Sequence, residues 1–191
     1  MDSSVLASTS VKDLGVLLDS SLTMSEHVNA LTKSCFFQLR QIRTIKRCLP
    51  RNARETLVRA FVSSRLDYCG TLLYNIGEGL LTKLQSVQNA AAQLILDAQK
   101  YDHATPLLKD LHWLPIRQRI DFRVSSLVYK CLHNKASSYL AQHCTPVADV
   151  PGRQHLRSAS RFMVTVSRAR TKIGPRAFSV SGGPMVWNSQ P

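Results

Sequence analysis

The stretch SEHVNALTKSCFFQLRQIRTIKRCLP, residues 25–50, decides the fold of this chain. At about 100° per residue, its apolar side chains gather on one face of a helix. These side chains are Val28, Leu31, Cys35, Leu39, Ile42, Ile45 and Leu49. Cationic side chains gather on nearly the opposite face, and they are Lys33, Arg40, Arg43 and Arg47. The pattern predicts an amphipathic helix, ended by Pro50, that packs on one side and presents positive charge on the other.

Further helical patterns follow this stretch. Asn52 and Glu55 have the spacing of a capping box, which predicts the start of a second helix. A third helix is predicted over residues 79–97. A fourth, broken helical stretch is predicted over residues 105–133, with Pro115 in the first turn of its second part, where the missing N–H costs nothing.

The two ends of the chain differ from the helical middle. Residues 11–22 hold a short apolar run interrupted by Gly15, which predicts a strand or the edge of a hairpin. Residues 151–191 are rich in Pro, Gly and Ser and contain no acid. Their seven cations are Arg153, Arg157, Arg161, Arg168, Arg170, Lys172 and Arg176. This composition predicts a basic, loosely ordered tail, with one short β segment at residues 162–166.

The predicted fold class is therefore mainly α. We expect a short N-terminal β element, a bundle of three to five helices and a basic, loosely ordered C-terminal tail. The expected divisions are residues 1–24, 25–145 and 146–191. With 191 residues, of which 44% are hydrophobic, the chain is long and apolar enough to bury a core.

The charge balance indicates the class of partner. The chain has 25 Lys and Arg against 12 Asp and Glu, a net charge of +13, and such an excess attracts polyanions. No window approaches the roughly 18 uninterrupted apolar residues of a spanning helix, so we expect nucleic acid and no membrane. The N-terminus lacks the pattern of a signal peptide. The five cysteines are widely spaced, which predicts reduced thiols in an intracellular protein, nuclear or cytoplasmic.

Enzyme motifs are missing from the sequence. There is no adjacent pair of acids, no D-x-D, no G-x-S-x-G and no H-E-x-x-H, so we assign no catalytic residue and expect no enzyme activity from the chain alone. The residues in this sequence that come nearest to a set of zinc ligands are Cys131, His133, His143 and Cys144. Adjacent His143 and Cys144 would both have to point at one ion, which the usual spacing of zinc ligands avoids. We therefore expect no metal ligand and no cofactor.

Five blocks of sequence carry a resemblance to a known family. They are LGVLLDSSLTMSEHV at 14–28, SRLDYCG at 64–70, LQSVQNAAAQLIL at 84–96, HWLPIRQRIDF at 112–122 and RAFSVSGGPMVWNSQP at 176–191. In this order they resemble the region that follows the polymerase core in reverse transcriptases of LINE-type, non-LTR retrotransposons of the jockey-like group. The resemblance spans nearly the whole chain.

The resemblance implies a function for each part. The first block resembles the last palm segment, the following helices resemble the thumb, and the remainder resembles a C-terminal extension. The catalytic aspartates and their Mg²⁺ would then belong to a polymerase core upstream of Met1. The expected partners are template RNA, primer DNA and that missing core, with no small-molecule substrate. The expected contact residues are Lys33, Phe37, Arg40, Arg43, Arg47, Arg51 and Arg54.

Other interpretations remain open from the sequence. The cationic face is also typical of an ordinary solvated helix surface, with Phe37 covered by another part of the protein. A helical module that binds a protein partner would present an exposed apolar patch instead of a continuous basic one. A decayed open reading frame without selected activity would fold poorly, because a truncated palm strand leaves an open sheet edge.

Overall fold

The computed structural model describes residues 8–99, 101–171, 173–179 and 183–190. Its regular elements are β1 Ser10–Asp13, β2 Val16–Asp19, α1 Ser25–Ile45, α2 Arg51–Val58, α3 Ser64–Asp67, α4 Glu78–Leu96, α5 Ala104–Asp110, α6 Ile116–Leu132, α7 Ser138–Ala141, α8 Arg157–Ser160 and α9 Gly183–Asn188. A mainly helical chain with a short two-stranded antiparallel sheet near its N-terminus confirms the predicted fold class.

The chain divides into two compact units. The described part of the first comprises residues 8–69 and 76–116, and that of the second comprises residues 70–75 and those from 117 onward. The predicted divisions at residues 24 and 145 do not coincide with this partition. Residues 25–145, predicted as a helical, thumb-like and connecting region, contribute to both units, because the short segment at 70–75 and most of α6 belong to the second.

The hairpin predicted near Gly15 is present. β1 and β2 pair in antiparallel register, with Ser10 opposite Asp19 and Asp13 opposite Val16. The two residues between the strands, Leu14 and Gly15, have φ values of 44° and 85°, as a tight two-residue hairpin turn requires. Glycine adopts this conformation without strain, which explains its place in the apolar run.

The loop between β2 and α1 is organised by one carboxylate. Asp19 accepts hydrogen bonds from the backbone N–H groups of Ser21 at 3.1 Å, Thr23 at 2.9 Å and Met24 at 2.8 Å. The bond from Thr23 is the main cause of the lowered pKa of Asp19. Met24, at the N-cap of α1, has a φ of 65° and makes no side-chain cap. Asp19 therefore fixes the chain where α1 begins.

Asp19→Ala is expected to lower the free energy of unfolding by about 1–2 kcal/mol, because it removes a capping-type set of charge-assisted hydrogen bonds. Since the pKa of Asp19 is lowered in the folded state, this contribution is complete above the unfolded pKa and is lost as the pH falls through the folded pKa. Urea unfolding of Asp19→Ala and of Asp13→Ala, an equal charge change on β1, measures the effect. Equal losses in the two variants would contradict the assigned role of Asp19.

The core of the first unit lies where α1 and α2 pack against α4. Its buried apolar residues on these helices are Val28, Cys35, Leu39, Ile42, Val58, Leu81, Leu84, Val87, Ala91, Ala92, Leu94 and Ile95. The predicted inward face of α1 is thus confirmed at four positions. It is wrong at Ile45, which is 49% exposed, because α1 ends there and a 3₁₀ turn, Lys46–Cys48, follows.

The start of the second helix differs from the prediction. α2 begins at Arg51, directly after Pro50, whose φ of −67° suits the entry into a helix. The Asn52 side chain accepts a hydrogen bond from the adjacent N–H of Ala53, so the predicted capping box is wrong. Beyond α2 the helix widens into a π turn, Arg59–Ser63, before α3.

The second unit has its own apolar cluster. Its buried members are Val128, Cys131, Cys144 and Val164. Trp187 packs against this cluster and donates a hydrogen bond from Nε1 to the carbonyl of Phe162 at 3.0 Å. Val164, Phe178 and Trp187 of the predicted tail therefore lie at a core.

One side chain on α9 contacts the backbone of Val164. The Asn188 amide accepts a hydrogen bond from the N–H of Val164 at 2.9 Å and donates one to its carbonyl at 2.8 Å, as a neighbouring strand would. The β segment predicted at 162–166 is reduced to a single bridge between Pro146 and Val164. Lys172, predicted as part of the basic tail, lies outside the described residues.

Candidate nucleic-acid interface

A row of exposed side chains runs along α1 and into the turn that follows it. We call this row the basic face, and its members are Lys33, Phe37, Arg40, Arg43 and Arg47. Within the described part of the chain, no carboxylate lies within ion-pair distance of its four cations. The four positive charges are therefore not neutralised by the protein's own acids.

Phe37 lies one helical turn after Lys33 and just under one turn before Arg40, so it projects among the cations. Its side chain is 56% exposed. The alternative in which another part of the protein covers this ring does not agree with that exposure. An exposed aromatic ring among cations can stack on a sugar or a base while the cations contact phosphates.

The predicted continuation of this surface onto α2 is only partly present. Arg51 is exposed, but its guanidinium donates to the Asp110 carboxylate at 2.7 Å. Arg54 is buried, and the prediction that it contacts nucleic acid does not agree with its position. Its phase on α2 directs it toward α4, where a carboxylate pairs with it.

That carboxylate belongs to Asp97, which follows α4 in a left-handed conformation with a φ of 58°. Asp97 accepts hydrogen bonds from Lys46 and from Arg54, the latter at 2.5 Å, and Arg54 also donates to the carbonyl of Leu94 at 3.3 Å. The hydrogen bond from Lys46, followed by that from Arg54, lowers the pKa of Asp97. This ionic clasp, defined as Lys46, Arg54 and Asp97, joins the ends of α1 and α4 to α2.

A groove of about 510 Å³ lies between α1 and α4. Its lining residues are Phe36, Leu39, Arg40, Arg43, Lys46, Ala90, Gln93, Leu94 and Ala98. Arg40 and Arg43 belong to both the groove and the basic face, so the two features form one continuous surface. Sequence periodicity did not reveal the groove, because it depends on which side of α1 meets α4. Ala90 is the available signal in the sequence, since a small side chain at this position of α4 leaves room between the helices.

The four side chains considered as zinc ligands do not share one environment. Cys131 and Cys144 are buried in the apolar cluster of the second unit, whereas His133 and His143 are exposed. Burial, assisted by the neighbouring Cys131, raises the pKa of the Cys144 thiol to about 12, which disfavours the thiolate that zinc requires. The described residues contain no group of three or more His, Cys, Asp or Glu arranged to hold a metal ion.

Several blocks that carry the family resemblance contact one another. The Tyr68 hydroxyl, in the second block, donates to the carbonyl of Leu14, in the first, at 2.6 Å. The Gln88 amide, in the third block, donates to the carbonyl of Leu114, in the fourth, at 2.9 Å. The motifs thus include residues that hold the first unit together, and packing by itself gives these residues a role.

No protein-family model, curated protein or solved structure matches this chain. The side chains of the site offer four cations without a carboxylate partner among the described residues, an exposed aromatic ring and a groove between two helices. Among the helices of the described residues, none combines the length and the apolar character needed to cross a bilayer.

Proposed function

We propose that this chain is a non-catalytic segment of a retrotransposon RNA-directed DNA polymerase. It binds template RNA and primer DNA through phosphate contacts on the basic face. The observation that supports this most directly is the row of four exposed cations, none of them paired with a carboxylate of the described residues. A polyanion that binds such a row releases its condensed counterions, which favours binding at low salt.

The proposal assigns catalysis to a polymerase core outside this sequence. Nucleotide transfer by two metal ions needs carboxylates clustered around both ions. The nine Asp residues of this chain are scattered along the sequence, and no two of them are adjacent. The segment then binds the template and the primer. The polymerase core is its proposed protein partner and would hold the metal ions and catalyse the reaction.

The number of cations sets the expected salt dependence. Four phosphate contacts correspond to a slope of about −3 in a plot of log affinity against log salt for a single strand. Raising the salt fourfold should then weaken binding by roughly 60-fold. A slope near zero would contradict phosphate contacts altogether.

Changing Lys33, Arg40, Arg43 and Arg47 together to Ser is expected to weaken oligonucleotide binding roughly tenfold or more and to flatten the salt slope. Fluorescence anisotropy of a labelled RNA oligonucleotide, measured over a salt series, checks this. The matched control changes Arg153, Arg157, Arg161 and Arg168 together to Ser, which removes the same charge from exposed positions of the second unit.

The comparison of the two variants separates a site from a general charge effect. If the basic face is the binding site, its variant loses both affinity and salt dependence, whereas the control keeps most of both. Equal losses would mean that the net charge of +13 alone attracts the nucleic acid, and the basic face would then have no special role.

A second candidate function, a helical module that binds a protein partner, is favoured by exposed apolar side chains on the first unit. Phe37, Ile45 and Phe61 are 56%, 49% and 44% exposed. This alternative predicts that Phe37→Ser and Phe61→Ser reduce binding of a hydrophobic dye while the chain shows no salt-dependent binding of RNA. Salt-dependent binding that is lost in the variant of the basic face would exclude it.

A further inference from the structure

We propose that the groove between α1 and α4 receives one unstacked base of a single-stranded nucleic acid, while Arg40 and Arg43 hold the two adjoining phosphates. This inference rests on the proposed function and makes it more specific, because it selects single strands over duplexes. Its basis is the coincidence of apolar walls and unpaired cations within one concave surface.

The dimensions of the groove suit a ligand of nucleotide size. Its volume of about 510 Å³ lies within the range of roughly 300–1,000 Å³ that is typical of small-molecule sites. A single nucleotide places a flat base, with two π faces that stack on apolar or aromatic side chains, next to a negatively charged phosphate. The groove offers the complementary pair of surfaces, apolar side chains inside and guanidinium groups on one wall.

The apolar surface comes from both helices. Phe36, which is 39% exposed, and Leu39 lie on the α1 side, and Ala90 and Leu94 lie on the α4 side. Arg40 follows Phe36 by one helical turn, about 6 Å along the axis. A base against Phe36 therefore places its two adjoining phosphates within reach of the Arg40 and Arg43 side chains. Stacking on an aromatic ring tolerates any base, since every base has a π face.

The end of the groove is fixed in position. Lys46 lines the groove and donates to Asp97, the carboxylate that also binds the buried Arg54. These contacts hold the C-terminal ends of α1 and α4 together. The groove walls are thus set before a ligand arrives, which reduces the ordering cost of binding.

A duplex cannot use this groove in the same way. Its bases are stacked and paired inside the helix, so an apolar groove gains a base only if that base is first unstacked, at a cost of a few kcal/mol. A duplex therefore contacts the cations alone, whereas a single strand contacts the cations and fills the groove.

The test compares a labelled single-stranded RNA of about 12 nucleotides with the RNA–DNA hybrid of the same sequence, binding the full-length chain. The single strand is expected to bind at least about fivefold more tightly than the hybrid. Ala90→Phe fills the groove without changing its charge and is expected to abolish that preference while the affinity for the hybrid stays unchanged. The matched control is Ser86→Phe, one turn earlier at an exposed position of α4.

Phe36→Ala provides a second variant in case the larger side chain at position 90 disturbs folding, which circular dichroism would detect. It should reduce the preference for the single strand in the same way. Equal binding of both ligands by the native chain, or a preference that survives both substitutions, would overturn the groove inference and leave the proposed function intact. Absence of salt-dependent binding of either ligand would overturn the proposed function as well.

Discussion

Arg54→Ala is expected to lower the free energy of unfolding by about 3 kcal/mol, because it removes a buried, packed side chain together with its polar contacts. The Arg54 side chain is 10% exposed and reaches Asp97 at 2.5 Å and the carbonyl of Leu94 at 3.3 Å. Its loss leaves a cavity beside α4 and one carbonyl near the end of that helix without its partner. The ends of α1, α2 and α4 would then be joined less firmly.

Urea unfolding of Arg54→Ala and Arg51→Ala measures this effect against a matched control. Both arginines lie on α2 and both pair with an aspartate, but the Arg51 and Asp110 side chains are 53% and 54% exposed. An exposed pair contributes at most about 1 kcal/mol. Similar losses in the two variants would show that Arg54 contributes no more than a surface pair.

A further substitution separates the packing of Arg54 from its charge. Arg54→Met keeps much of the length of the side chain and fills the buried space of the Arg54 stem with apolar atoms, while Asp97, whose side chain is 56% exposed, stays in contact with water. We expect it to recover part of the stability lost in Arg54→Ala. If Arg54→Met is as destabilising as Arg54→Ala, the ion pair with Asp97 carries the effect and the packing of the stem does not.

The same clasp makes stability depend on pH in a defined direction. Because the pKa of Asp97 is lowered in the folded state, its contribution is complete above the unfolded value of 3.8 and is lost as the pH falls through the folded pKa. The native chain should therefore lose stability on acidification more steeply than Arg54→Ala, in which one of the two cations is gone. Urea midpoints measured between about pH 5 and pH 2 check this difference.

The basic face could be predicted from the sequence because helical periodicity alone determines it. Val28, Cys35, Leu39 and Ile42 fall on one side of α1, and the cations lie at other angles around the helix and stay exposed. The same helical periodicity places Phe37 among these cations, and the 56% exposure of its side chain agrees with that position. A single amphipathic helix carries this information within its own residues.

The burial of Arg54 could not be predicted from the sequence, because it depends on Asp97, a residue more than 40 positions away. Arg51 and Arg54 are only three residues apart on α2. Arg54 nevertheless contacts the end of α4, where it pairs with Asp97, whereas Arg51 pairs with Asp110. The groove depends likewise on the side from which α4 approaches α1. Contacts between distant segments decide both features, and a pattern within one segment carries no signal for them.

Gln88→Ala is the second substitution with a large expected effect, about 3 kcal/mol. Gln88 is 1% exposed, so its amide has no access to water. It donates to the carbonyl of Leu114 at 2.9 Å and accepts from the Gln85 amide at 3.0 Å. Truncation leaves the Leu114 carbonyl without this partner and opens a cavity in the core of the first unit.

The neighbouring amide shows why this network matters beyond one hydrogen bond. The Gln85 side chain accepts from the N–H of Ile116 at 2.9 Å, and that N–H is among the first of α6, where helix geometry supplies no acceptor. The amide nitrogen of Gln85 also donates a hydrogen bond to the side chain of Asn89 at 2.8 Å. Gln88 holds Gln85 in the orientation that both of these contacts require.

Chemical denaturation distinguishes this network from an ordinary buried side chain. Asn89→Ala, which removes a single acceptor at a half-buried position, is the matched control and should cost about 1 kcal/mol. Gln88→Glu keeps the shape of the side chain but places a carboxyl group where water is excluded. Relative to the native chain, this variant should be strongly destabilised at neutral pH, where the group is charged, and less destabilised in acid, where it is neutral. If Gln88→Glu is destabilised relative to the native chain by the same amount at both pH values, water reaches position 88, and the enclosed network between α4 and the start of α6 does not exist as described.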